Sequence, residues 1–214
     1  QACEGSSPSS SIVAYYRTPK LNPDKKLQAY VIGLAIGDGN LSNPNGRATR
    51  LRITCDTKYP KLIKRIRLSL SELLPENKIG IVHRKRNCVD VWVYSNHLEK
   101  LLGWKAKKGS KFKQNVSTPQ WIYKSKKYKM QYLKGLIETD GSIYTDRGYT
   151  MIIFSTIIPR LAKSVNNIML SLGFHPNCYK IKQGKTVAGS AFKYQVRLSK
   201  NVQGFLNLVK PKKN

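Results

Sequence analysis

The stretch VIGLAIGDG, residues 31–39, decides the fold because a second stretch of the same kind, LKGLIETDG, occupies residues 133–141. Each reads as an apolar helix in which two small residues lie four positions apart, on one helix face. Small residues at that spacing let two helix backbones approach more closely than usual. We therefore predict that the two helices pack on each other through Gly33, Gly37, Gly135 and Thr139.

Both stretches end in Asp-Gly, with Asp38 in the first and Asp140 in the second. Packing of the two helices would bring these carboxylates side by side at helix C-termini, where the helix dipole disfavours an anion by roughly 0.3–1 kcal/mol. A divalent cation, most simply Mg²⁺, resolves this conflict, and the backbone carbonyls of Gly37 and Thr139 are well placed to share it. A single Asp-Gly pair is more typical of a turn. Two copies in one repeated context favour a catalytic interpretation.

Charge is the strongest feature of the composition. Among 214 residues, 39 Lys and Arg stand against 11 Asp and Glu, and the net charge is +28. Such a surface typically binds a polyanion, because neutralised phosphates release their condensed counterions. A solvated basic surface or a ribosomal type of protein is the alternative from charge alone. With the paired carboxylates, the charge predicts metal-dependent attack on a phosphodiester backbone.

The remaining composition bounds the class of protein. No apolar run approaches the roughly 18–20 residues of a membrane span. The cysteines form no Cys-x-x-Cys pair and the histidines are scattered, so zinc spacing is absent. We expect an intracellular protein with free thiols and no membrane partner, in the cytoplasm, the nucleoid or an organelle.

The order of predicted elements repeats after each stretch. The first half is predicted to contain a helix from Lys25 to Asp38, capped by Asp24 and closed by Gly39, a strand over Arg47–Cys55, a helix from Pro60, strands over Ile79–Arg86 and Cys88–Ser95, and a helix over Leu98–Leu102. The second half is predicted to contain the helix of its stretch, a strand over Tyr149–Ser155, a helix from Pro159, strands over Tyr179–Lys182 and Phe192–Ser199, and a helix over Val202–Leu208.

This repeat predicts an α+β fold, a pseudo-twofold duplication of an αββαββα unit. Residues 1–22 are predicted to form an N-terminal arm, 23–102 the first half, 103–127 a basic linker and 128–214 the second half.

Several predicted strands alternate between apolar and polar residues, which is typical of a sheet with a buried back and a basic front. The front residues are expected to read base edges in the major groove, where Arg pairs with guanine and Gln with adenine. The predicted reading residues are Arg50, Arg52, Thr54, Arg84 and Arg86 in the first half, and Lys180, Lys182, Lys193, Gln195 and Arg197 in the second. Lysines of the linker and the C-terminus are expected to follow phosphates without reading sequence.

From about Asp24 to the C-terminus, these motifs and their order resemble the LAGLIDADG homing endonucleases, in the single-chain form with two motifs. The resemblance implies two antiparallel sheets forming a saddle over DNA, with the motif helices packed at the centre. It implies a monomeric, intron-encoded enzyme that cuts both strands of a long, partly palindromic target and leaves short 3′ overhangs. Asp38 and Asp140 would be catalytic, and with the carbonyls of Gly37 and Thr139 they would bind Mg²⁺ or another divalent cation such as Mn²⁺.

The resemblance also implies supporting groups beside each active site. A polar group that holds water would follow the first strand of each half, and the matching positions are Cys55 and Ser155, with Asp56 or Thr57 as substitutes for the former. A basic residue would lie beside each site. For this role we select Lys107 from the candidates Lys105, Lys107 and Lys108, and Lys212 from the pair Lys210 and Lys212.

Glu138 and the choice of function each allow a further interpretation. Glu138, whose counterpart in the first motif is Ile36, is interpreted as a supporting or surface group rather than a ligand. The alternative function is that of an RNA-binding maturase acting on its own intron RNA, or of a DNA-binding protein that does not cleave, on the same scaffold.

Overall fold

Two four-stranded antiparallel sheets and two central helices form the fold in the computed structural model, which describes residues 20–85, 87–184 and 190–212. In the first half the elements are α1 (Lys25–Asp38), β1 (Gly39–Ser42), β2 (Arg50–Asp56), α2 (Pro60–Leu73), β3 (Ile79–Arg84), β4 (Cys88–Tyr94) and α3 (Leu98–Leu102). A 3-10 helix (Gln120–Lys124) then leads to α4 (Lys126–Thr139), β5 (Gly141–Asp146), β6 (Tyr149–Thr156), α5 (Pro159–Ser171), β7 (Asn177–Lys182), β8 (Phe192–Leu198) and α6 (Val202–Val209).

The two halves have the same topology. The strand order is β1-β2-β4-β3 in one sheet and β5-β6-β8-β7 in the other, and all pairs are antiparallel. The predicted α+β class and the duplicated αββαββα order are therefore confirmed. Most of the predicted N-terminal arm, residues 1–19, lies outside the described residues.

Helix starts follow the local sequence. The Asp24 side chain accepts a hydrogen bond from the Lys26 amide at 2.8 Å and so caps α1. Helices α2 and α5 begin at Pro60 and Pro159, where a proline has no amide hydrogen left unsatisfied. Within the described ranges, no helix is both long enough and apolar enough to cross a membrane.

Burial separates the central helices from the outer ones. Helix α2 buries a single stripe, Leu62, Ile66, Leu70 and Leu73, against the back of the first sheet. Helix α1 is buried on every side over residues 28–37, because α4 covers one side of it and the first half covers the rest. The back faces of β2, β6 and β8 complete this core.

Helices α1 and α4 touch at backbone distance. A Cβ atom placed on Gly33 would lie 2.2 Å from the Tyr132 carbonyl oxygen, and one placed on Gly135 would lie 2.3 Å from the Tyr30 carbonyl oxygen. A Cβ on Gly37 would lie 2.0 Å from the Thr139 hydroxyl oxygen. The four small residues of the two motifs therefore lie at the contact, and both helices end at the same end of the pair.

The glycine after each aspartate joins a motif helix to the first strand of its sheet. Gly39 caps α1 as predicted, with its amide donating to the Ala35 carbonyl, and its φ of −82° and ψ of 148° are extended and begin β1. Glycine is required at position 39 for a steric reason, because a Cβ there would lie 2.3 Å from the Ala35 carbonyl oxygen. At Gly141 the same close approach is to Ile137. Each strand therefore turns off its helix within one residue of the carboxylate.

Candidate active site and nucleic-acid interface

The two motif aspartates lie at the ends of the packed helices. Asp38 is the last residue of α1, and Asp140 caps α4 with its amide donating to the Leu136 carbonyl at 3.0 Å. Both residues are exposed, while the glycine that follows each is buried. The fold thus places two carboxylates at one end of the helix pair, and each is followed directly by the first strand of its sheet.

Lys111, in the linker, provides a cation at this position. Its Nζ donates to the carbonyl oxygens of Ile36 and Gly37, each at 2.5 Å, and lies 3.4 Å from that of Ala35. The pKa of Lys111 is lowered from its ordinary value because burial disfavours the charged ammonium, and the nearby carboxylates of Asp140 and Asp38 partly oppose this effect. The C-terminal carbonyls of α1 and the two carboxylates therefore attract a positive charge to one place.

The donor set at this place fits a hard divalent cation. It consists of carboxylate and carbonyl oxygens, which Mg²⁺ and Mn²⁺ prefer, and the Lys111 ammonium already bonds to the Gly37 carbonyl as a cation would. Asp38, Asp140 and the carbonyls of Gly37 and Thr139 are the groups that would hold it. Among the described residues no three His, Cys, Asp or Glu side chains come together, so the remaining ligands would be backbone, water or phosphate oxygens.

Two pockets flank Lys111, one beside each aspartate. The larger, about 350 Å³, is lined by Asp140, Lys111, Ser155 and Lys193 over an apolar floor that includes Ile158. The smaller pocket, about 140 Å³, lies beside Gly39, the residue that follows Asp38. Its lining includes Gly39, Asn40, Lys105 and Lys111. Of the predicted supporting groups, Ser155 thus lies with Asp140 and Lys105 lies on the Asp38 side, while Lys193, a predicted reading residue, also lines the pocket beside Asp140.

Cys55 and Asp56, the predicted alternatives for the water-holding group of the first half, have different surroundings. Burial raises the pKa of the Cys55 thiol to about 12, and Asp38 and Asp90 contribute to the rise, so the thiol stays neutral near Asp38. The Asp56 carboxylate bonds to Lys58, accepting from its amide at 2.9 Å and pairing with its Nζ at 3.0 Å. Cys55, Cys88 and Cys178 are free thiols, as expected; Cys3 lies outside the described residues.

Lys107 and Lys212, the lysines predicted for the basic role, occupy other positions. Lys107 is exposed in the linker, and Lys212 is exposed while its backbone amide donates to Glu138 at 2.8 Å. Lys111 was missed because it belongs to the same lysine-rich run. The available signal was its neighbour Phe112, an apolar residue in a polar linker, which packs against the core and fixes this turn beside α1.

Glu138 is not a surface group, which corrects one of the two interpretations given to it. It is fully buried and accepts hydrogen bonds from the Tyr30 hydroxyl at 2.5 Å and from the Lys212 amide at 2.8 Å. Arg65 lies 3.7 Å from the same carboxylate. This network joins α1, α2, α4 and the C-terminal segment, and an acid at the position equivalent to Ile36 accepts its two hydrogen bonds and faces the Arg65 guanidinium.

Four predicted reading residues share the front of the first sheet. Arg50, Arg52 and Thr54 pair across the strands with Tyr94, Trp92 and Asp90, and directly paired residues lie on the same face. Arg84 pairs with Cys88, two residues from Asp90, and so lies on that face too. The opposite face carries the buried Leu51 and Ile53. Arg86 lies outside the described residues.

The second sheet divides its predicted readers between two faces. Lys193, Gln195 and Arg197 alternate with the buried Val196 and Leu198 and lie on the front. Lys180 and Lys182 pair with Tyr194 and Phe192, on the opposite face, and the Lys180 ammonium lies 4.0 Å from the Phe192 ring centre. Their predicted front position is therefore wrong. The β7–β8 register instead places Asn177, Tyr179 and Ile181 beside the front residues of β8.

Comparisons with known proteins agree with this architecture. The sequence model of the LAGLIDADG-like domain matches residues 127–209. No curated protein sequence matches the chain significantly.

Solved structures with the same fold include mesophilic variants of the homing endonuclease I-DmoI. They are 18% identical, with a TM-score of 0.63 over 89% of this chain and 98% of that one. I-DmoI in complex with DNA and Mn has a TM-score of 0.62 at 18% identity, over 86% and 96%. The N-terminal LAGLIDADG domain of DUF199/WhiA has a TM-score of 0.55 at 10% identity, over 90% and 87%. The chain therefore has the LAGLIDADG homing endonuclease fold, in the single-chain form that carries two motifs.

Proposed function

We propose that the chain is a site-specific double-strand DNA endonuclease that hydrolyses phosphodiester bonds with a divalent cation. The observation that carries the proposal is the pair of exposed aspartates at the joined ends of α1 and α4, between two sheets with basic front faces. The net charge of +28 supports a polyanionic substrate. A maturase or a non-cleaving DNA-binding protein would have no need of both carboxylates.

The residues at the site would have different roles in cleavage. Asp38 and Asp140 would hold Mg²⁺ or Mn²⁺, which when bound polarises the phosphate and activates water. The Lys111 ammonium, which faces both carboxylates, would stabilise negative charge that develops on the phosphate oxygens. One carboxylate would serve each DNA strand, and we propose short 3′ overhangs because the resemblance to the LAGLIDADG homing endonucleases implies them.

The single chain would act as a monomer. Helices α1 and α4 supply both halves of the central contact, so a second copy is not needed to complete the pair of sites. The two front faces differ in sequence, with Arg50 and Arg52 on one and Lys193, Gln195 and Arg197 on the other. We accordingly propose a long target that is only partly palindromic. The resemblance to the LAGLIDADG homing endonucleases leads us to propose an intron-encoded origin, and we propose an intracellular location.

The test of the proposed function is cleavage of a library of long duplex DNA in the presence of Mg²⁺, followed by sequencing of the cut ends. We expect paired ends at one recurrent sequence, and none when the divalent cation is chelated. The Asp38→Asn/Asp140→Asn double variant is the matched control. A library that stays uncut by folded, DNA-binding protein would overturn the proposed function.

Lys111→Met should reduce cleavage of both strands by about 100-fold at saturating protein, because it removes one preorganised charge beside both carboxylates. DNA affinity should change little. Single-turnover kinetics on a labelled target measures the effect strand by strand, with Lys107→Met as the matched control in the same linker. A rate loss in Lys107→Met with full activity in Lys111→Met would return the basic role to Lys107.

Arg52→Ala and Arg197→Ala should each relax base preference in one half-site, by about 1–3 kcal/mol for a bidentate contact. Lys108→Ala, in the exposed linker, should weaken binding to all sequences alike and reduce the salt slope by about one unit for each phosphate that the lysine neutralises. Binding titrations with target variants at several salt concentrations separate the two outcomes. Uniform affinity loss in both arginine variants would show that the sheet fronts do not read bases.

A further inference from the structure

A buried carboxylate lies on the face of the first sheet that carries the predicted reading residues. Asp90, in the central strand β4, has a side chain only 4% exposed. It pairs directly with Thr54 on β2 and Val82 on β3, so it shares their face. An acid here repels DNA phosphates, and the chain has few acids to place. Its position therefore calls for a reason other than general affinity.

The contacts of Asp90 supply that reason. One carboxylate oxygen accepts a hydrogen bond from the Thr54 hydroxyl at 2.7 Å. The other accepts one from Nε of Arg84 and lies 3.8 Å from Nε of Arg52. These arginines come from strands on opposite sides of β4, and their side chains are 48% and 30% exposed. A single buried acid thus contacts two partly exposed guanidinium groups across three strands.

We propose that Asp90 is a positioning residue for base recognition, which rests on the proposed function. It holds Arg52 and Arg84 in one orientation on the DNA-facing side before DNA arrives. Pre-ordering a side chain reduces the entropy lost on binding, and charge-assisted contacts fix a guanidinium in its plane. The negative charge of Asp90 also repels DNA phosphates. This repulsion disfavours a target whose bases do not pair with the two arginines, so it favours correct over incorrect targets.

The second sheet has no equivalent arrangement among the residues described. Arg197 lies 3.8 Å from the Asp146 carboxylate, but that side chain is 50% exposed, and exposed pairs contribute little. Asp146 is the last residue of β5, an edge strand, where it pairs with Tyr149, whereas Asp90 lies in an interior strand. The effect of Asp90 should therefore be confined to the half-site under the first sheet.

The experiment compares Asp90→Asn with the unaltered protein in binding to every single-base variant of its target, without divalent ions. Glu76→Gln is the control, because it removes the same charge from an exposed position outside the sheet. We expect discrimination at the base pairs read by Arg52 and Arg84 to fall about tenfold. Preferences in the other half-site should be unchanged, and affinity for unrelated duplex DNA should be equal or higher.

Each outcome decides between roles. A uniform loss of affinity in both half-sites would show a merely structural role, and unchanged base preferences would show that the arginines need no support; either overturns the inference. If Asp90→Asn does not fold, Asp90→Glu, which keeps the charge but moves it, should give the same loss in the first half-site alone. An unaltered protein with no base preference would overturn the proposed function itself, and the inference with it.

Discussion

Asp38→Asn and Asp140→Asn are each expected to abolish double-strand cleavage while DNA binding persists. Each change removes one carboxylate from the end of a packed helix without changing side-chain size. A bound cation contributes several kcal/mol of transition-state stabilisation, so cleavage of the dependent strand should fall at least about 1000-fold. Single-turnover assays with each strand labelled separately measure this loss. Binding should be equal or tighter, because a negative charge beside phosphate is removed.

Asp24→Asn is the matched control for this experiment. It removes the same charge from the opposite end of α1, where Asn caps a helix about as well as Asp. We expect it to leave both cleavage and stability unchanged. Full double-strand cutting by either motif variant would contradict the assignment of the carboxylates.

Gly33→Ala is expected to destabilise the protein by about 3 kcal/mol, and to lower the Tm by roughly 6–12 °C for a chain of this length. The added Cβ would lie 2.2 Å from the Tyr132 carbonyl oxygen and 2.9 Å from the Leu136 amide nitrogen. Both neighbours are backbone atoms of a buried helix, so the helices have to separate. Gly135→Ala should behave alike, because it meets the backbone of α1 in the same way. Urea and thermal unfolding followed by circular dichroism measure the loss.

Gly184→Ala is the control, because a Cβ there meets no atom of the described residues within 4 Å. It should leave the unfolding midpoint almost unchanged. Cleavage should fall in Gly33→Ala even where the protein remains folded, since separation of α1 and α4 moves the two carboxylates apart. Wild-type stability in Gly33→Ala would mean that the helices do not touch at this residue.

Particular residues show how far the sequence alone leads. The repeated small-residue spacing at Gly33, Gly37, Gly135 and Thr139 predicted the helix pair, because spacing along a helix fixes which side chains share a face. Alternation in β2 predicted its buried back and polar front for the same kind of local reason. Asp38 and Asp140 stood out because the motif occurs twice.

Other features depended on contacts between segments far apart in the chain. The front face of β7 was wrongly predicted, because the register of an exposed strand depends on its neighbour rather than on its own alternation. Glu138 reads as an ordinary polar residue of a helix, and its burial depends on Tyr30, Arg65 and the C-terminal segment.

The sequence by itself determined the duplicated fold, the paired carboxylates and the basic character of the surface, all of which follow from periodicity and composition. Only the tertiary structure decided which lysine faces those carboxylates and which acid contacts the arginines predicted to read bases. Lys111 and Asp90 are separated in sequence from their partners, and apart from the apolar Phe112 beside Lys111 no local pattern indicates their contacts. Their roles arise because folding removes water from one side of each charge and brings a partner of opposite polarity within hydrogen-bonding distance.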